Sequence, residues 1–452
     1  MALTKANYRM LEQKEIYMSL MDGATGDEKF LAALALMKAD ATRKIVVDGN
    51  YTINNTYTVD YYIHMEGSVD NASLRFAPNN ATFLILYGSA CRGSIIRDIN
   101  FNGNNFDGNF FNSKTLLKIQ SEDPNNTGNT PINILVDNCK FEWCDRAISI
   151  EAASSSSFND IRIQNCVYGV FITGAASLEN SFLRLNILAA RHAVQIMRYG
   201  ATPSVGRGQV PQGNYFVNCT LVLQYADALR SNGSYTDNTI DDVCAAVFAD
   251  CGFDYGFSNC WIEANLLATG STKDRLGHAV KFVQSVPKSY IGSLRFDSCA
   301  VRGTKFTLSG GSAAGYNETG MTGTLITDCN ILFYRNRSFA QEFYVGNYLG
   351  NVIVQGNNFV VLGSNKKCIV INLLRDSSFS QNFILYENNT DDPWPIAPSL
   401  VTEEPLVLSD CTRVMVRNNN FNYLTTSAID YITTSGTNTN CVTTGNECPL
   451  TW

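Results

Sequence analysis

Apolar and polar residues alternate along most of the chain in one short, recurring frame. The frame has six positions. An apolar residue comes first, followed by two polar residues, the second of which is Asn, Asp, Ser or Gly. The fourth position is Cys, Asn or an aliphatic residue, the fifth is any residue, and the sixth is again apolar. Its clearest copies are Val136–Phe141, Ile163–Tyr168, Phe257–Ile262, Phe296–Val301 and Ile326–Ile331. Weaker copies are Ile96–Phe101, Phe182–Ile187, Ile240–Ala245, Val354–Phe359 and Val416–Phe421. The pattern lacks helical periodicity and predicts short strands joined by sharp corners.

The spacing of the frames predicts a stacked-repeat fold in which each copy marks one turn. Most copies follow one another within a few tens of residues, and the longer gap between Asn357 and Asn419 leaves room for extra turns. We therefore predict an all-β, right-handed, single-stranded parallel β-helix. Asn or Asp at a corner tolerates left-handed backbone, while the Cys and aliphatic positions point inward and stack from turn to turn.

One segment near the start of the chain has a helical pattern. Asp27 can cap a run in which Phe30, Leu31, Leu34 and Met37 share one face. A helix at this point would cover the open first turn, as the ends of stacked-repeat folds require.

The predicted organisation has three parts. An N-terminal segment at 1–21 precedes the start of the β-helix with its capping helix at 22–55, and the β-helix then fills 56–452. Clusters of turn residues predict inserted loops at about 198–214, 309–322 and 388–405.

Composition narrows the classes of function. The 452 residues carry 34 basic and 41 acidic side chains, a net charge of −7, and only 17% of the residues are charged. Without a run of Lys and Arg, this balance disfavours nucleic acid or an anionic membrane as a partner. No apolar stretch approaches the roughly 20 residues that span a bilayer. Residues 1–21 also lack the apolar core of a signal peptide. We expect neither a membrane protein nor ordinary secretion.

The cysteine and histidine patterns argue against metal chemistry. Most of the 14 cysteines sit singly in apolar runs, without the CxxC spacing of a zinc site, and we interpret them as reduced and buried. In an oxidising compartment, Cys244 could pair with Cys251, or Cys441 with Cys448. The three histidines are too dispersed for an HExxH site, and there is no phosphate-binding GxxxxGK[ST] loop. We predict no metal or other cofactor.

The start of the chain resembles a known family. Asp22–Asp27 (DGATGD), the helical segment after it and Val46–Ile53 (VVDGNYTI) resemble the opening of pectate-lyase-superfamily β-helices. Met1–Met10 (MALTKANYRM) resembles bacteriophage tailspike proteins of that group. The resemblance is close as far as residue 55 and continues only through the repeated frame. The sequence departs from the family in one respect. The family usually has an acidic, Thr-rich stretch after Gly–Asp, whereas here Glu28–Phe30 follows and leads directly into the helix.

The resemblance implies a homotrimer on a virion tail that binds and cleaves a bacterial surface polysaccharide, either capsule or O-antigen. It also implies attachment to the phage tail or an adaptor protein through the N-terminus, and synthesis in the host cytoplasm, which agrees with reduced cysteines. Two rival functions are a tailspike that only holds a glycan and a free bacterial pectin-degrading enzyme. Neither rival is excluded by the repeat pattern.

Candidate chemistry is expected on outward side chains, because inward ones fill the core. The position three residues after the Cys position points outward and carries Glu263 and Arg302. Asp241 and Asp297 lie two residues before the Cys position of their frames. Trp261 lies one residue after the Cys position, near Glu263 on the same strand. These residues predict a site that combines acids, a base and an indole ring.

Glycoside hydrolysis needs two carboxyl groups, about 5 Å apart for retention or roughly 6.5 to 9.5 Å apart for inversion. We assign Glu263 as general acid, with a pKa raised by the apolar ring of Trp261, and Asp241 or Asp297 as the group that activates water. With turns about 4.8 Å apart, Asp241 and Asp297 are expected roughly 10 Å apart if no turn is hidden between them.

Substrate contacts and alternative sites involve further residues. Contacts with the sugar are predicted at Trp261, Arg302 and Trp394. Glu142 and Asp145 form a second possible acid pair nearer the N-terminus. A lyase would instead need a base and a cation that neutralises a uronate carboxylate, for which the candidates are Arg302, Lys305, His278 and Lys281. A Ser–His–Asp site stays open, since triads assemble in space.

Overall fold

Short β-strands make up most of the regular structure in the part of the chain that the computed structural model describes. The described residues are 14–68, 72–103, 111–124, 127–199, 210–272, 274–284, 291–310, 323–334, 342–347, 349–362, 369–387, 405–422 and 432–447. Residues 1–190 and 191–452 form two units, each with its own dense internal packing.

The first unit contains strands that return to three faces in turn. They are β1 (Glu15–Tyr17), β2 (Lys44–Val47), β3 (Asn50–Ile53), β4 (Tyr57–Val59), β5 (His64–Gly67), β6 (Ser73–Phe76), β7 (Thr82–Tyr87), β8 (Ile95–Arg97), β9 (Asn100–Asn102), β10 (Thr115–Gln120), β11 (Leu135–Asp137), β12 (Lys140–Glu151), β13 (Ser157–Asn159), β14 (Arg162–Thr173), β15 (Ser181–Leu183) and β16 (Asn186–Ile196), which runs past residue 190. Face 1 pairs β1-β2-β5-β8-β11-β13-β15, all parallel. Face 2 pairs β3-β6-β9 and face 3 pairs β4-β7-β10, and the long strands β12 and β14 extend both faces.

The second unit repeats the same plan. Its strands are β17 (Gln212–Val217), β18 (Thr220–Leu223), β19 (Ala245–Ala249), β20 (Gly252–Ser258), β21 (Trp261–Ala264), β22 (Leu266–Leu267), β23 (Arg275–Leu276), β24 (His278–Val283), β25 (Ile291–Asp297), β26 (Ala300–Gly303), β27 (Lys305–Ser309), β28 (Thr324–Thr327), β29 (Asn330–Phe333), β30 (Phe343–Gly346), β31 (Val352–Gln355), β32 (Asn358–Leu362), β33 (Ile369–Asn372), β34 (Arg375–Ser380), β35 (Phe383–Glu387), β36 (Leu406–Ser409), β37 (Thr412–Arg417), β38 (Asn420–Asn422), β39 (Ile432–Ser435) and β40 (Val442–Thr444). Face 1 pairs β17-β20-β25-β28-β31-β34-β37-β40. Face 2 pairs β18-β21-β26-β29-β32-β35-β38. Face 3 pairs β19-β24-β27-β30-β33-β36-β39.

Parallel pairing between successive turns on the same three faces defines a parallel β-helix, so the predicted fold class is confirmed. The corners follow the predicted chemistry. Between faces 1 and 2 the backbone is left-handed at Asn138, Asn259, Ser298 and Asp328, with φ of 46°, 52°, 54° and 53°. Asn165, at φ 55°, makes a corner within β14 instead. Each corner residue occupies the second polar position of the frame.

The residue after the corner points inward and forms a ladder through the second unit. In the earlier turns the ladder is Cys219, Cys260, Cys299 and Cys329, all buried free thiols. In the later turns it becomes Asn357, Asn382, Asn419 and Asn446, each amide Nδ2 donating to the next Oδ1 at 3.0, 2.9 and 2.9 Å. Asn382 marks the extra turn that the long gap in the frame spacing allowed.

Other inward positions are filled by stacked rings and buried thiols. Phe216, Phe257 and Phe296 stack with ring centroids 5.0 Å apart at each step. Cys244 and Cys251 are free and buried, and burial raises the pKa of Cys244 to about 12. Cys448 lies outside the described residues. The described cysteines are buried as predicted, except that Cys441 is only half-buried, and none of them is in a disulfide.

The predicted capping helix is α1 (Gly26–Ala39), but its cap and buried face differ from the prediction. Thr25 is the N-cap, and its hydroxyl accepts from the Glu28 N–H at 3.2 Å while Glu28 bonds back, forming a capping box. Leu31 is 59% exposed, and the buried side chains are Phe30, Ala33, Leu34 and Met37. The Gly–Asp start therefore places the cap two residues earlier than the pattern suggested.

Asp27 is not the N-cap, and its carboxylate instead binds the segment that follows β3. Its carboxylate accepts backbone N–H groups of Asn54 and Asn55 and the Tyr57 hydroxyl at 2.9 to 3.1 Å. Burial acts to raise the pKa of Asp27, but these bonds hold it below its ordinary value.

Asp27→Asn should therefore cost about 1 kcal/mol of unfolding free energy near neutral pH. Because the folded-state pKa is depressed, the wild-type advantage is complete above about pH 4 and disappears as the pH falls through the folded-state value. Thermal unfolding of both proteins from neutral to acid pH measures this. A deficit that persists at low pH would contradict it.

Two further helices interrupt the second unit, and the second of them lies where the weak frame predicted strand. These are α2 (Ala226–Ser231) and α3 (Asp237–Val243), between β18 and β19. The predicted weak frame at Ile240–Ala245 is therefore wrong, since its first residues are helical. The other interruption is the antiparallel hairpin β22–β23 between β21 and β24.

Several predicted segments lie largely outside the described residues. These are 1–13 of the N-terminal segment and, within the inserted loops, 200–209, 311–322 and 388–404, which includes Trp394. Gln212–Asn214 at the end of the first predicted loop is already strand β17. Glu15–Tyr17, within the predicted N-terminal segment, pairs with β2 as part of face 1.

Candidate functional site

Face 2 of the second unit carries three of the predicted site residues. Strand β21 pairs directly with β26, so no turn is hidden between them, and Glu263 lies beside Arg302. The predicted outward column is confirmed across the turns from β18 to β32, except that Ala246, which the weak frame at Ile240–Ala245 placed in it, is fully buried on β19 of face 3. The column reads Val222, Glu263, Arg302, Leu332 and Val360.

The Glu263 carboxylate is held by two donors. It is 9% exposed, and its Oε2 accepts from Trp261 Nε1 at 2.8 Å. Its Oε1 accepts from the Tyr334 hydroxyl at 2.5 Å. Trp261 therefore does not act on Glu263 as the apolar neighbour we expected, because its indole N–H points at the carboxylate. Two donors suit an ionised carboxylate, which accepts hydrogen bonds only.

Arg302 and Tyr334 complete this cluster. The Arg302 guanidinium lies 4.1 Å from the Trp261 ring centroid, a cation–π contact, and Trp261 is still 36% exposed. Burial, and then the Glu263 carboxylate, raise the pKa of Tyr334, which Arg302 opposes. The phenol therefore stays protonated and donates. The frame ends before Tyr334, which follows β29, so the repeat pattern gave it no role.

Asp241 does not lie in the column where the sequence placed it. It is in α3, fully buried, and its Oδ1 accepts the Gly277 N–H at 2.8 Å and the Thr304 hydroxyl at 3.0 Å. Burial raises the pKa of Asp241, opposed by these bonds and by the charge of Lys305. The predicted outward pairing of Asp241 with Asp297 is wrong, because helix α3 replaces the expected strand and turns this carboxylate inward.

Asp297 is an outward residue on a different face. It ends β25 on face 1, where Thr327 Oγ1 donates to its Oδ1 at 3.0 Å and Arg295 lies 3.9 Å away. A corner at Ser298 separates it from face 2, which holds Glu263. The three predicted catalytic carboxylates thus occupy a strand of face 2, a strand of face 1 and a helix.

Three of the four lyase candidates come together on face 3. His278 on β24 is in register with Lys305 on β27, and Lys281 follows on β24. Burial and the two lysine charges lower the pKa of His278, which is 4% exposed and whose Nδ1 has no hydrogen-bond partner. Burial also lowers the pKa of both lysines, against the nearby Asp241 and Asp242 carboxylates. Arg302 is not among them, because it lies on face 2.

The alternative acid Glu142 is fully engaged in the first unit. It is 6% exposed, accepts from Asn102 at 3.0 Å and Gln164 at 2.9 Å, and pairs with Lys140 at 2.5 Å. Burial acts to raise the pKa of Glu142, but these partners lower it overall. The Asp145 N–H donates to Asn112 Oδ1 at 3.1 Å. This arrangement suits a structural anion between neighbouring turns.

The described residues contain neither a cluster of metal-binding side chains nor a helix that could cross a membrane. No three His, Cys, Asp or Glu side chains in the described ranges lie together as a metal site. No helix in the described part of the chain is long and apolar enough to cross a membrane.

Comparison with known proteins gives weak structural likenesses. No protein-family model matches the sequence, and no curated protein matches it significantly. DFA-IIIase from Arthrobacter chlorophenolicus A6, without its lid, has a TM-score of 0.49 at 10% identity, covering 91% of this chain and 98% of its own. The catalytic domain of GH87 alpha-1,3-glucanase in complex with nigerose scores 0.43 at 14% identity, covering 95% and 68%. Dettilon tailspike protein scores 0.38 at 10% identity, covering 94% and 69%.

Proposed function

We propose that this protein is a phage tailspike that binds and depolymerises a bacterial surface polysaccharide, and that hydrolysis takes place on face 2 of the second unit. The observation that carries the proposal is the cluster of Trp261, Glu263, Arg302 and Tyr334. An exposed indole offers a stacking surface for a sugar ring. A carboxylate held by two donors stands next to it.

The chemistry we propose centres on Glu263. The Trp261 N–H and the Tyr334 hydroxyl hold the carboxylate in one orientation beside the exposed ring, where it can exchange a proton with the glycan or with water. We assign Glu263 as one carboxyl group of the hydrolytic pair, Tyr334 as the donor that orients it, and Arg302 as placed to meet charge on the glycan. The second carboxyl group of the pair is not assigned among the described residues. Asp241 is assigned to holding α3 against the corner at Thr304, because its bonds leave it no exposed surface.

A second candidate function is elimination by a lyase site on face 3. The observation that favours it is the convergence of His278, Lys281 and Lys305, two of them lysines whose pKa values burial lowers. Burial favours the uncharged amine, the form in which a lysine acts as a general base. The Lys281 ammonium also donates to the Asp242 carbonyl, which fixes its position.

The assembly we propose is a homotrimer that docks on the phage tail or an adaptor through the N-terminus. The sequence resemblance at Met1–Met10 supports docking on the phage tail. Support for the trimer comes from face 1 of the second unit, where Ile353, Met415 and Val442 share one outward column and are 37%, 42% and 48% exposed. Such a stripe fits contact with a second copy, and light scattering of the purified protein tests it.

The test of the proposed activity is incubation of the purified protein with surface polysaccharides from a panel of bacteria. New reducing ends without unsaturated sugar ends are the expected result and indicate hydrolysis. Unsaturated ends, detected by their ultraviolet absorbance, would indicate elimination and favour the lyase site at the face 3 lysines. Binding without any cleavage would leave a glycan-holding tailspike, and a panel with neither binding nor cleavage would overturn the proposal.

A further inference from the structure

Face 2 of the second unit carries a second outward column beside Glu263, one residue after each ladder position. The strand register fixes its members as Thr220, Trp261, Ala300, Asn330, Asn358, Phe383 and Asn420. Trp261 and Phe383 are 36% and 37% exposed. Asn330 and Asn358 between them are also exposed. We name the stretch from Trp261 to Phe383 the aromatic–amide row.

The length of the row follows from the turn spacing. Phe383 stands four strand steps from Trp261, through Ala300, Asn330 and Asn358, so the two rings are roughly 19 Å apart at about 4.8 Å a step. One step is close to the length of one sugar ring in an extended chain. A ligand that touches both rings therefore has about five sugar residues and runs along the direction in which the turns stack.

The chemistry of the row selects the ligand. Its members are uncharged, and the nearest charges in the neighbouring column, Glu263 and Arg302, lie at the Trp261 end. Asn358 Nδ2 donates to Asn330 Oδ1 at 3.5 Å, a single weak bond. Each amide keeps donors and acceptors for sugar hydroxyls. This combination suits a hydroxyl-rich, uncharged stretch of glycan between two stacking rings.

We infer that the aromatic–amide row is an extended glycan-binding site and that Phe383 is its far subsite, which makes the protein prefer long chains. The inference rests on the proposed function and adds the direction, length and uncharged character of the bound segment. Phe383 takes no part in the chemistry at Glu263 and acts only on how firmly a long chain is held.

The test compares affinities for short and long chains. Size-fractionated oligosaccharides, made by partial acid hydrolysis of a polysaccharide that the protein binds, are titrated against wild type, Phe383→Leu and Phe383→Trp. We expect Phe383→Leu to reduce the ratio of long-chain to short-chain affinity about tenfold, the size of one lost stacking contact. Phe383→Trp should keep the ratio, because it keeps a stacking ring. Trp261→Ala should weaken short and long chains alike.

The control is Leu31→Ala, which removes an apolar side chain that is 59% exposed on helix α1. It should leave the ratio unchanged, and circular dichroism confirms that each variant is folded. An unchanged ratio in Phe383→Leu, or equal losses for short and long chains, would overturn the inference while leaving the proposed function in place. If wild type binds no polysaccharide of the panel, the proposed function itself fails and this site with it.

Discussion

Glu263→Gln is expected to reduce glycan cleavage by about a thousandfold or more, the range of a lost acid–base group, and to leave glycan binding close to wild type. Glutamine has nearly the same shape and its amide oxygen still accepts one hydrogen bond, from Trp261 or Tyr334. It cannot hold a negative charge or exchange a proton. Reducing-end release and binding to the immobilised polysaccharide, measured on the same preparation, separate the two effects.

The matched control for this prediction is Glu142→Gln. Glu142 is also an outward glutamate on face 2, but in the first unit, where Asn102, Gln164 and Lys140 surround it. Its replacement should leave cleavage unchanged. The assignment of Glu263 would be wrong if Glu263→Gln cleaves the glycan as fast as wild type. It would also be wrong if Glu142→Gln folds normally but no longer cleaves.

Asn382→Leu is expected to lower the free energy of unfolding by about 3 kcal/mol. The Asn382 amide accepts from Asn357 Nδ2 and from the Asn357 N–H, and it donates to Asn419 Oδ1 and the Val354 carbonyl. Leucine fills the space but removes all four bonds of the amide and leaves the buried Asn357 N–H without its acceptor, which is the costly case for buried polar groups. Asn419 Oδ1 keeps the backbone N–H of residue 382, and Asn357 Nδ2 keeps the Ile326 carbonyl. Denaturant unfolding followed by circular dichroism measures the loss.

Asn382→Cys gives the comparison that identifies the cause. Earlier turns carry cysteine at this ladder position, where the Cys299 thiol donates to the Phe257 carbonyl at 3.3 Å. A thiol at 382 can make the corresponding bond to Val354, although it cannot replace the amide acceptor. The loss should be about half that of Asn382→Leu. Equal losses in the two variants would show that the bond to the Val354 carbonyl contributes nothing, and a loss near zero in both would contradict stabilisation by the amide ladder.

The fold was predictable because corner and core chemistry repeat in every turn. A left-handed corner favours Asn, Asp or Ser, and the next residue must be small enough to stack inward. Pairs such as Asn259–Cys260 and Asp328–Cys329 therefore mark a turn in the sequence. The turn at Asn382 was missed because Gln381 occupies the left-handed corner, with φ 56°, and Gln is not a residue the frame allowed. The Asn at the ladder position was the available signal.

The site was only partly predictable, because the frame fixes which way a strand residue points but not what covers it. The register correctly placed Glu263 beside Arg302 and Trp261. It could not place Asp241, since α3 interrupts the repeat at that point, nor Tyr334, which lies beyond the last residue of the frame. The frame describes the corner between faces 1 and 2, so it gave no register for His278 and Lys305, which pair on face 3.

The most direct test of the account is a crystal structure of Glu263→Gln with an oligosaccharide from a polysaccharide that the wild type cleaves. We expect sugar density on face 2 of the second unit, with one ring against Trp261, the scissile bond at residue 263, and the chain continuing past Asn330 and Asn358 toward Phe383. An oligosaccharide bound on face 3 against Lys281 and Lys305, or on face 1, would contradict it.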